Sequence, residues 1–543
     1  MSQELDQVLA YHQATKHSFT RMAPGPRTMD WANEPRPFRR FRGAPLVELD
    51  RPEPVDIPEY DLALTEGNVP PRPLRFETIS QLLFDTLAVS AWRRAGGAAW
   101  ALRVNPSSGN LHPTEGYLIS GPVQGLFEEP TVAHYAPREH GLEVRGQFSD
   151  EAWWDMASGL PGGTVLVGFS SIPWRESWKY GERAFRYLHL NLGHALAATS
   201  FASASLGWRA TLLDGVGTED LALMLGLADT GGAEAEPEIP DCLVAVHPQG
   251  SVVSGFDLSE KVLAEFEEVE WQGSPDRLSP GAVDWPLVSR MTKSTAKPRG
   301  GVAAQAPAET RRETSRFSYP QSSLRKIVRQ RRSAVVMDPT FGMTKDDFFR
   351  ALCRTIPGPG RFPFNLFSWG PEVHLAVFVH RVLGLDRGLY LLVRNPDHEE
   401  SLRSSMRQEF DWKMPGEALP GFYRLEAGDF RDLARTLSCG QKIASDGCFS
   451  LAMIARFRPA LAERGPWFYN RLFWECGMVG QTLYLEAEAA GLRGCGVGCY
   501  FDDPVSSALG LAGPDYQSLY HFAVGRETPL LRMETLPSYP APD

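Results

Sequence analysis

Three groups of residues in this chain are of types and spacings that could do chemistry. The first is Arg103 to Tyr117, RVNPSSGNLHPTEGY. Pro106 bars a helix from running through the stretch. Ser107 and Ser108 bring hydroxyls and free backbone N–H groups, and Gly109 lets a planar ligand approach the backbone. Asn110 adds an amide that donates and accepts at once. That inventory suits the pyrimidine edge of a flavin, where carbonyl acceptors flank a ring N–H. Pro, Ser, Gly and Asn are also ordinary turn residues, and on local grounds alone a capped turn is the better reading.

The second group is Arg331-Arg332-Ser333, with Arg526 and Arg532 near the C-terminus. Guanidinium forks and a hydroxyl hold a doubly charged phosphate through charge-assisted hydrogen bonds. Two arginines closing a helix are also what the helix dipole favours by itself. Gly494-Cys495-Gly496 could offer backbone N–H groups to a ligand. A dinucleotide fingerprint must follow a strand and open a helix. These glycines follow a long helix instead, so no dinucleotide-binding domain is read.

The third group is Lys179-Tyr180. A lysine acts as a base only when burial or nearby cations draw its pKa well below about 10.4. Arg183, one helical turn on, and the apolar Trp174 and Trp178 could create such a setting. A surface lysine with an inward tyrosine is the commoner fate of such a dipeptide. His194 is a further acid–base candidate, better read as a packing histidine; His12 and His17 are read as surface or packing residues.

Several elements must position these groups. A helix-like segment, Ile79 to Arg94, precedes the serine loop. Strands are expected at Tyr117–Ile119, Thr131–Tyr135, Val165–Phe169 and Asp241–His247, and a long helix from Trp178 to Ser205 that Gly207 ends. A helix over Ser323–Arg332 delivers Arg331, another follows at Lys345–Arg354, and strands follow at His374–Val379 and Leu389–Val393. The last long helix spans Phe468 to Ala490, ahead of the glycine loop at 494–498, a short helix at Pro504–Leu509 and a strand ending at Arg526. Residues 1–75 are rich in Pro and Arg and read as an extended arm. Residues 76–257 form a first domain, 258–320 a linker and 321–543 a second domain.

The two domains read as repeats. Gly193 aligns with Gly477 and Gly207 with Gly491, each pair 284 positions apart. Repetition of a whole αβ unit, unlike a short solenoid repeat, points to duplication.

At 543 residues the chain exceeds what one hydrophobic core usually serves. Hydrophobic residues make up 43% and charged residues 22%, an ordinary globular mix. A formal charge of −11 argues against a general nucleic-acid binder. Seven cysteines, no apolar secretory start and no bilayer-length apolar run indicate a soluble protein of a reducing, cytoplasmic setting without membrane partners. Cys495 and Cys499 lack a second pair at zinc spacing, so no metal site is read.

Asn105-Pro106-Ser107-Ser108-Gly109-Asn110-Leu111-His112-Pro113, followed by Glu115 and Tyr117, resembles the flavin-ring loop of the nitroreductase superfamily, and within it the SagB-type azoline dehydrogenases. The resemblance runs with gaps from about Pro73 to the C-terminus, and it includes the string Lys179-Tyr180-Gly181-Glu182-Arg183. It implies an α+β fold, two tandem nitroreductase-like domains forming an intramolecular pseudo-dimer, with FMN at their interface. It implies that Arg103, Pro106, Ser107, Ser108 and Asn110 from one domain and Arg331, Arg332, Ser333, Gly494, Cys495, Gly496, Arg526 and Arg532 from the other bind the cofactor. Lys179 and Tyr180 would be catalytic.

The family's parts are divided between the halves. The first lacks an Arg-Arg-Ser and a glycine loop, and the second has Phe367-Ser368-Trp369-Gly370-Pro371-Glu372 where the ring loop should stand. One composite site is therefore expected and its mirror image is expected to be dead. The same resemblance implies that the chain oxidises azolines to azoles in a modified peptide and admits other enzymes of a peptide-modification complex as partners. An NAD(P)H-dependent nitro or quinone reductase and a non-catalytic scaffold are the alternatives.

Overall fold

The structure, a computed structural model, describes residues 2–55, 57–228, 235–300, 322–358, 360–416, 419–530 and 532–540. The N-terminal half contributes strands β1 (Leu46–Glu48), β2 (Val89–Ala95), β3 (Ala98–Arg103), β4 (Thr114–Ser120), β5 (Thr131–Ala136), β6 (Gly141–Gln147), β7 (Val165–Ser171), β8 (Trp208–Leu212) and β9 (Ile239–Pro248). The C-terminal half contributes β10 (Val373–Val379), β11 (Gly388–Leu392), β12 (Phe422–Ala427), β13 (Phe449–Arg456), β14 (Arg493–Val497), β15 (Tyr516–Gly525) and β16 (Glu534–Leu536). Among the helices are α1 (Gln3–Ala14), α2 (Phe76–Phe84), α3 (Pro173–Tyr180), α4 (Ala184–Ser205), α5 (Glu260–Glu268) and α6 (Pro286–Ser294). Further along come α7 (Leu324–Gln330), α8 (Lys345–Arg354), α9 (Phe468–Ala489) and α10 (Asp502–Leu509).

Strand order in the first sheet is β1-β6-β5-β4-β7-β9-β8, and in the second β12-β11-β10-β13-β15-β14. With β1 set aside the two are one topology: third, second, first, fourth, sixth, fifth in chain order. Every pairing within them is antiparallel. The chain is thus α+β and built twice over. The third sheet, β16-β2-β3, joins the C-terminal segment to the first half.

Helix α4 rests on the first sheet, α9 on the second, and the two pack on one another. Both run 22 residues, and every residue of α4 is buried. A helix apolar or small on all sides belongs inside a fold. The crossing is set by two glycines. A Cβ built on Gly193 would lie 2.2 Å from the Trp474 carbonyl oxygen, and one on Gly477 would lie 2.3 Å from the Leu190 oxygen. The backbones touch there, at the pair that the sequence repeat aligns.

Four expectations are corrected. The segment Ile79–Arg94 is not one helix: α2 ends at Phe84, and Val89 to Ala95 form β2, whose Val89 and Trp92 are buried. Residues 1–75 are not simply an extended arm, because α1 is capped by Ser2 and buries Leu5, Val8 and Tyr11 along one stripe. The stretch 258–320 is not all linker: α5 buries Val262, Leu263 and Phe266, and α6 buries Val288 and Met291. These short apolar stripes were hidden by charged neighbours; residues 301–321 lie outside the described residues. Finally, Gly494 to Val497 are no loop but the edge strand β14, paired with β15.

Substitution tests the crossing. Gly477→Val must push the two long helices apart and is expected to lower stability by about 3 kcal/mol or more. Denaturant unfolding measures this, and a midpoint equal to that of the parent would refute the role given to the contact.

Candidate functional site

The serine loop leaves β3 and enters β4 by bonding to itself. Ser107 Oγ accepts from His112 N at 2.9 Å, and Asn110 Nδ2 donates to the Ala101 carbonyl at 2.8 Å. His112 Nε2 donates to Asn110 Oδ1 at 3.0 Å. His112 is neutral: burial and then Arg103 hold its pKa well below the usual range. Asn110 therefore spends its amide inside the loop and does not offer it to a ligand, contrary to expectation.

Gly109 has φ +62°, and a Cβ there would stand 2.6 Å from Tyr180 Oη and 3.1 Å from Lys179 Nζ. Only glycine allows the backbone to turn this way with both side chains against it. Lys179 Nζ also lies 5.6 Å from the centre of the Tyr180 ring. The structure thus brings the Lys-Tyr pair onto the serine loop.

Helix α3 carries that pair and is locked at its start. Pro173 opens it. Arg175 donates to the His112 and Arg36 carbonyls and pairs with Glu115 of β4. Burial works against the Glu115 carboxylate, but Arg175 and His134 outweigh it and hold the pKa near 2.

Glu176, on the same helix, was not singled out from sequence. Asn191 Nδ2 donates to Glu176 Oε1 at 2.5 Å, while Asn191 Oδ1 accepts from Ser108 N at 2.8 Å. Ser107 Oγ stands 3.5 Å from the same carboxyl oxygen. Glu176 Oε2 is buried with no partner. Burial raises the carboxyl to about 8 despite Asn191, Lys179 and Ser107, which favour the anion. Glu176 is therefore a neutral acid directly behind the loop. Arg183, expected to act on Lys179, is instead bonded to Asp502 at 3.0 Å and to Thr15.

These groups border a cavity of about 290 Å³ between the halves, near the lower end of small-molecule sites, roughly 300–1,000 Å³. Of the expected residues, Pro106, Ser107, Ser108, Tyr180, Ser333, Cys495 and Gly496 line it. Tyr187, Asn191, His194, Tyr484, Cys499 and Tyr520 also line it and were not assigned to the site from sequence. Tyr484 Oη bonds Ser333 Oγ and accepts from Gly496 N, both at 2.9 Å, tying the arginine turn to β14. His194 is the packing histidine anticipated: Gln481 Oε1 and Tyr520 Oη lie 3.2 and 3.3 Å from its nitrogens, and burial lowers it to about 3.

The arginines divide. Arg331 Nη2 donates to the Arg103 and Val104 carbonyls at 3.0 and 3.2 Å, and Arg332 donates to the Ser90 carbonyl. Arg329 reaches the Phe84 and Val89 carbonyls. The turn after α7 thereby staples the second half to the first. None of these three arginines has a carboxylate within salt-bridge distance among the described residues. Arg331 Nε is buried without a partner, and burial with Arg331 and Arg329 draws Arg332 down to about 9. Neither Arg331 nor Arg332 lines the cavity, but buried guanidinia that meet carbonyls and no carboxylate leave a positive charge that an anion can balance, so the donor set fits a phosphate.

Four other candidates leave the site. Arg103 turns its guanidinium to the Pro37 and Thr114 carbonyls. Arg526 pairs with Asp338 at 2.7 Å on the surface, and Arg532 is exposed. Gly494 lies beneath the Phe522 and Tyr484 rings, with its carbonyl accepting from Ala334 N.

A crystal structure described as a nitroreductase from Anabaena variabilis covers 96% of this chain and 99% of its own, with a TM-score of 0.70 at 19% identity. The chain has the nitroreductase fold. Residues 389–526 match the profile of the nitroreductase family, so the second half carries a nitroreductase-family domain. A protein of Methanocaldococcus jannaschii named as a nitroreductase is 25% identical over 170 residues, 30% of this chain and 80% of that one.

Within this nitroreductase fold the mirror position is filled. Phe367 and Trp369 stack at 4.3 Å where the second serine loop would be. Glu475, at the offset of Asn191, accepts from Glu372 N and Val373 N and pairs with Arg394. Among the described residues no helix is long and apolar enough to cross a membrane.

The pKa of Glu176 fixes a pH signature. Its folded value, about 8, lies above the ordinary 4.5, so the stability tied to the neutral carboxyl is intact below about pH 4.5 and is lost as pH rises toward 8. Glu176→Gln should remove that loss, leaving the variant more stable than the parent by on the order of 2–4 kcal/mol at pH 8 and equal at pH 4. Urea unfolding at the two pH values measures it; parallel pH profiles would contradict the assignment.

Proposed function

We propose that the chain is an FMN-dependent oxidoreductase of the SagB type that oxidises azoline rings of a modified peptide to azoles. The observation that carries this reading is the placement of Lys179 and Tyr180 against Gly109 on the serine loop, with Tyr180 itself on the cavity wall. The arginine turn around Arg331, together with Ser333, would take the FMN phosphate, and the 106–109 loop with Gly496 would border the ring. When bound, FMN supplies a two-electron acceptor for hydride.

The chain's own task is then to take a proton from the substrate carbon. Burial raises the Tyr180 phenol well above its usual range. Tyr180 therefore keeps its proton and serves as a hydrogen-bond donor, and the role of base is assigned to Lys179 beside it on the loop. Neutral Glu176 places no carboxylate behind the loop and, through Asn191, holds Ser108 in position. A peptide substrate presented within a peptide-modification complex is the setting this reading implies.

Removing the base separates binding from chemistry. Lys179→Ala should keep its full flavin content and lose azole formation by about 100-fold or more, followed as the loss of two hydrogens from an azoline peptide. Tyr180→Phe should lose less. Reduction of a nitro compound by NADPH that survives Lys179→Ala, with no azoline oxidation by the parent, would overturn the proposal in favour of a simple reductase.

A further inference from the structure

Two cysteines meet at the edge of the cavity. Cys499 lines it, just beyond β14, and Cys439 lies on the segment bonded alongside it. The two segments are clamped on either side of the pair: Phe501 N donates to the Leu437 carbonyl at 2.8 Å, and Gln441 Nε2 to the Cys499 carbonyl at 3.0 Å. Both residues are partly exposed, whereas Cys242, Cys353, Cys448 and Cys476 are buried. Cys495, also partly exposed, directs its thiol to the Gly496 carbonyl at 3.5 Å.

His17 completes the group. Its Nδ1 accepts from Ala23 N at 2.8 Å, so the ring proton sits on Nε2, and the imidazole is one of the groups that lower the Cys499 thiol. The backbone holds the ring there, with His17 N donating to Asp502 Oδ2 at 2.9 Å. Hydrogen bonds from Cys439 and His17, with Arg183 nearby, outweigh burial and draw the Cys499 thiol down to about 5, while the Cys439 thiol is pushed up. An accessible thiolate beside a second thiol is the arrangement of a thiol–disulfide exchange site.

We infer that Cys439 and Cys499 form a redox-active dithiol on the cavity wall, which a small disulfide of the glutathione class oxidises to an intramolecular disulfide. Cys499 sulfur attacks one sulfur of the small disulfide, breaks its S–S bond and releases one thiol. Cys439 then loses its proton, attacks the Cys499 sulfur of the mixed disulfide and releases the second thiol. Two protein thiols are oxidised and one disulfide is reduced to two thiols. The product would join the turn at Cys439 to the exit of β14 across one wall of the cavity. None of this depends on a bound flavin.

The test treats the full-length protein with oxidised glutathione, blocks the remaining thiols and maps the cysteines by mass spectrometry. Two of the seven thiols should be lost, in one cross-linked peptide pair joining Cys439 to Cys499, and dithiothreitol should restore both. Cys439→Ser should instead accumulate glutathione on Cys499, and Cys499→Ser should leave Cys439 reduced. Retention of all seven thiols, a reaction that stops at a mixed disulfide in the parent, or a cross-link through another cysteine would each overturn the inference.

Discussion

The two halves meet most closely at the contact between Gly193 and Gly477. With no side chain on either residue, α4 and α9 cross with their backbones touching, and the two sheets are thereby fixed on opposite sides of one core. In a homodimer such a crossing would be a symmetry axis and its two flanking sites would be identical. Here the partners are covalently joined, so each half is free to change without the other. On one flank loop 106–109 faces Ser333 and β14 across the cavity. On the other flank Phe367 and Trp369 stack, and Glu475 in place of Asn191 is committed to Arg394.

The joint is also where the charges are. Arg329, Arg331 and Arg332 hold carbonyl groups of the first half, and none of them has a carboxylate within salt-bridge distance among the described residues. The buried acid behind the serine loop follows the same economy. Glu176 remains neutral because burial dominates its environment, and its hydrogen bond to Asn191 holds Ser108 without placing a negative charge beside the cavity.

Much of this was legible in the sequence. Residue types, breakers and the 284-residue offset located the second long helix, most central strands and the duplication, while the helix expected from Trp178 to Ser205 is broken at Gly181, α3 ending at Tyr180 and α4 beginning at Ala184. What failed had weak or misleading local signals. Gly494 and Gly496 read as a loop, although in β14 their bareness makes room for the Phe522 and Tyr520 rings. The α1, α5 and α6 stripes are only two or three apolar residues each. Glu176, Asn191 and Tyr484 are single polar residues inside helices, and only the folded chain shows what they face. Arg526 and Arg532 were placed at the site by resemblance, yet Arg526 found Asp338 nearer at hand. Asn110 has the right chemistry but spends it on its own loop.

The central claim is that one composite cofactor site survives at the joint of the two halves. Its most direct test is the amount and identity of flavin in the purified protein, counted per chain after release of the chromophore. The account predicts one FMN per chain. Two per chain would contradict the filled mirror position, and none after soaking with FMN would contradict the site itself.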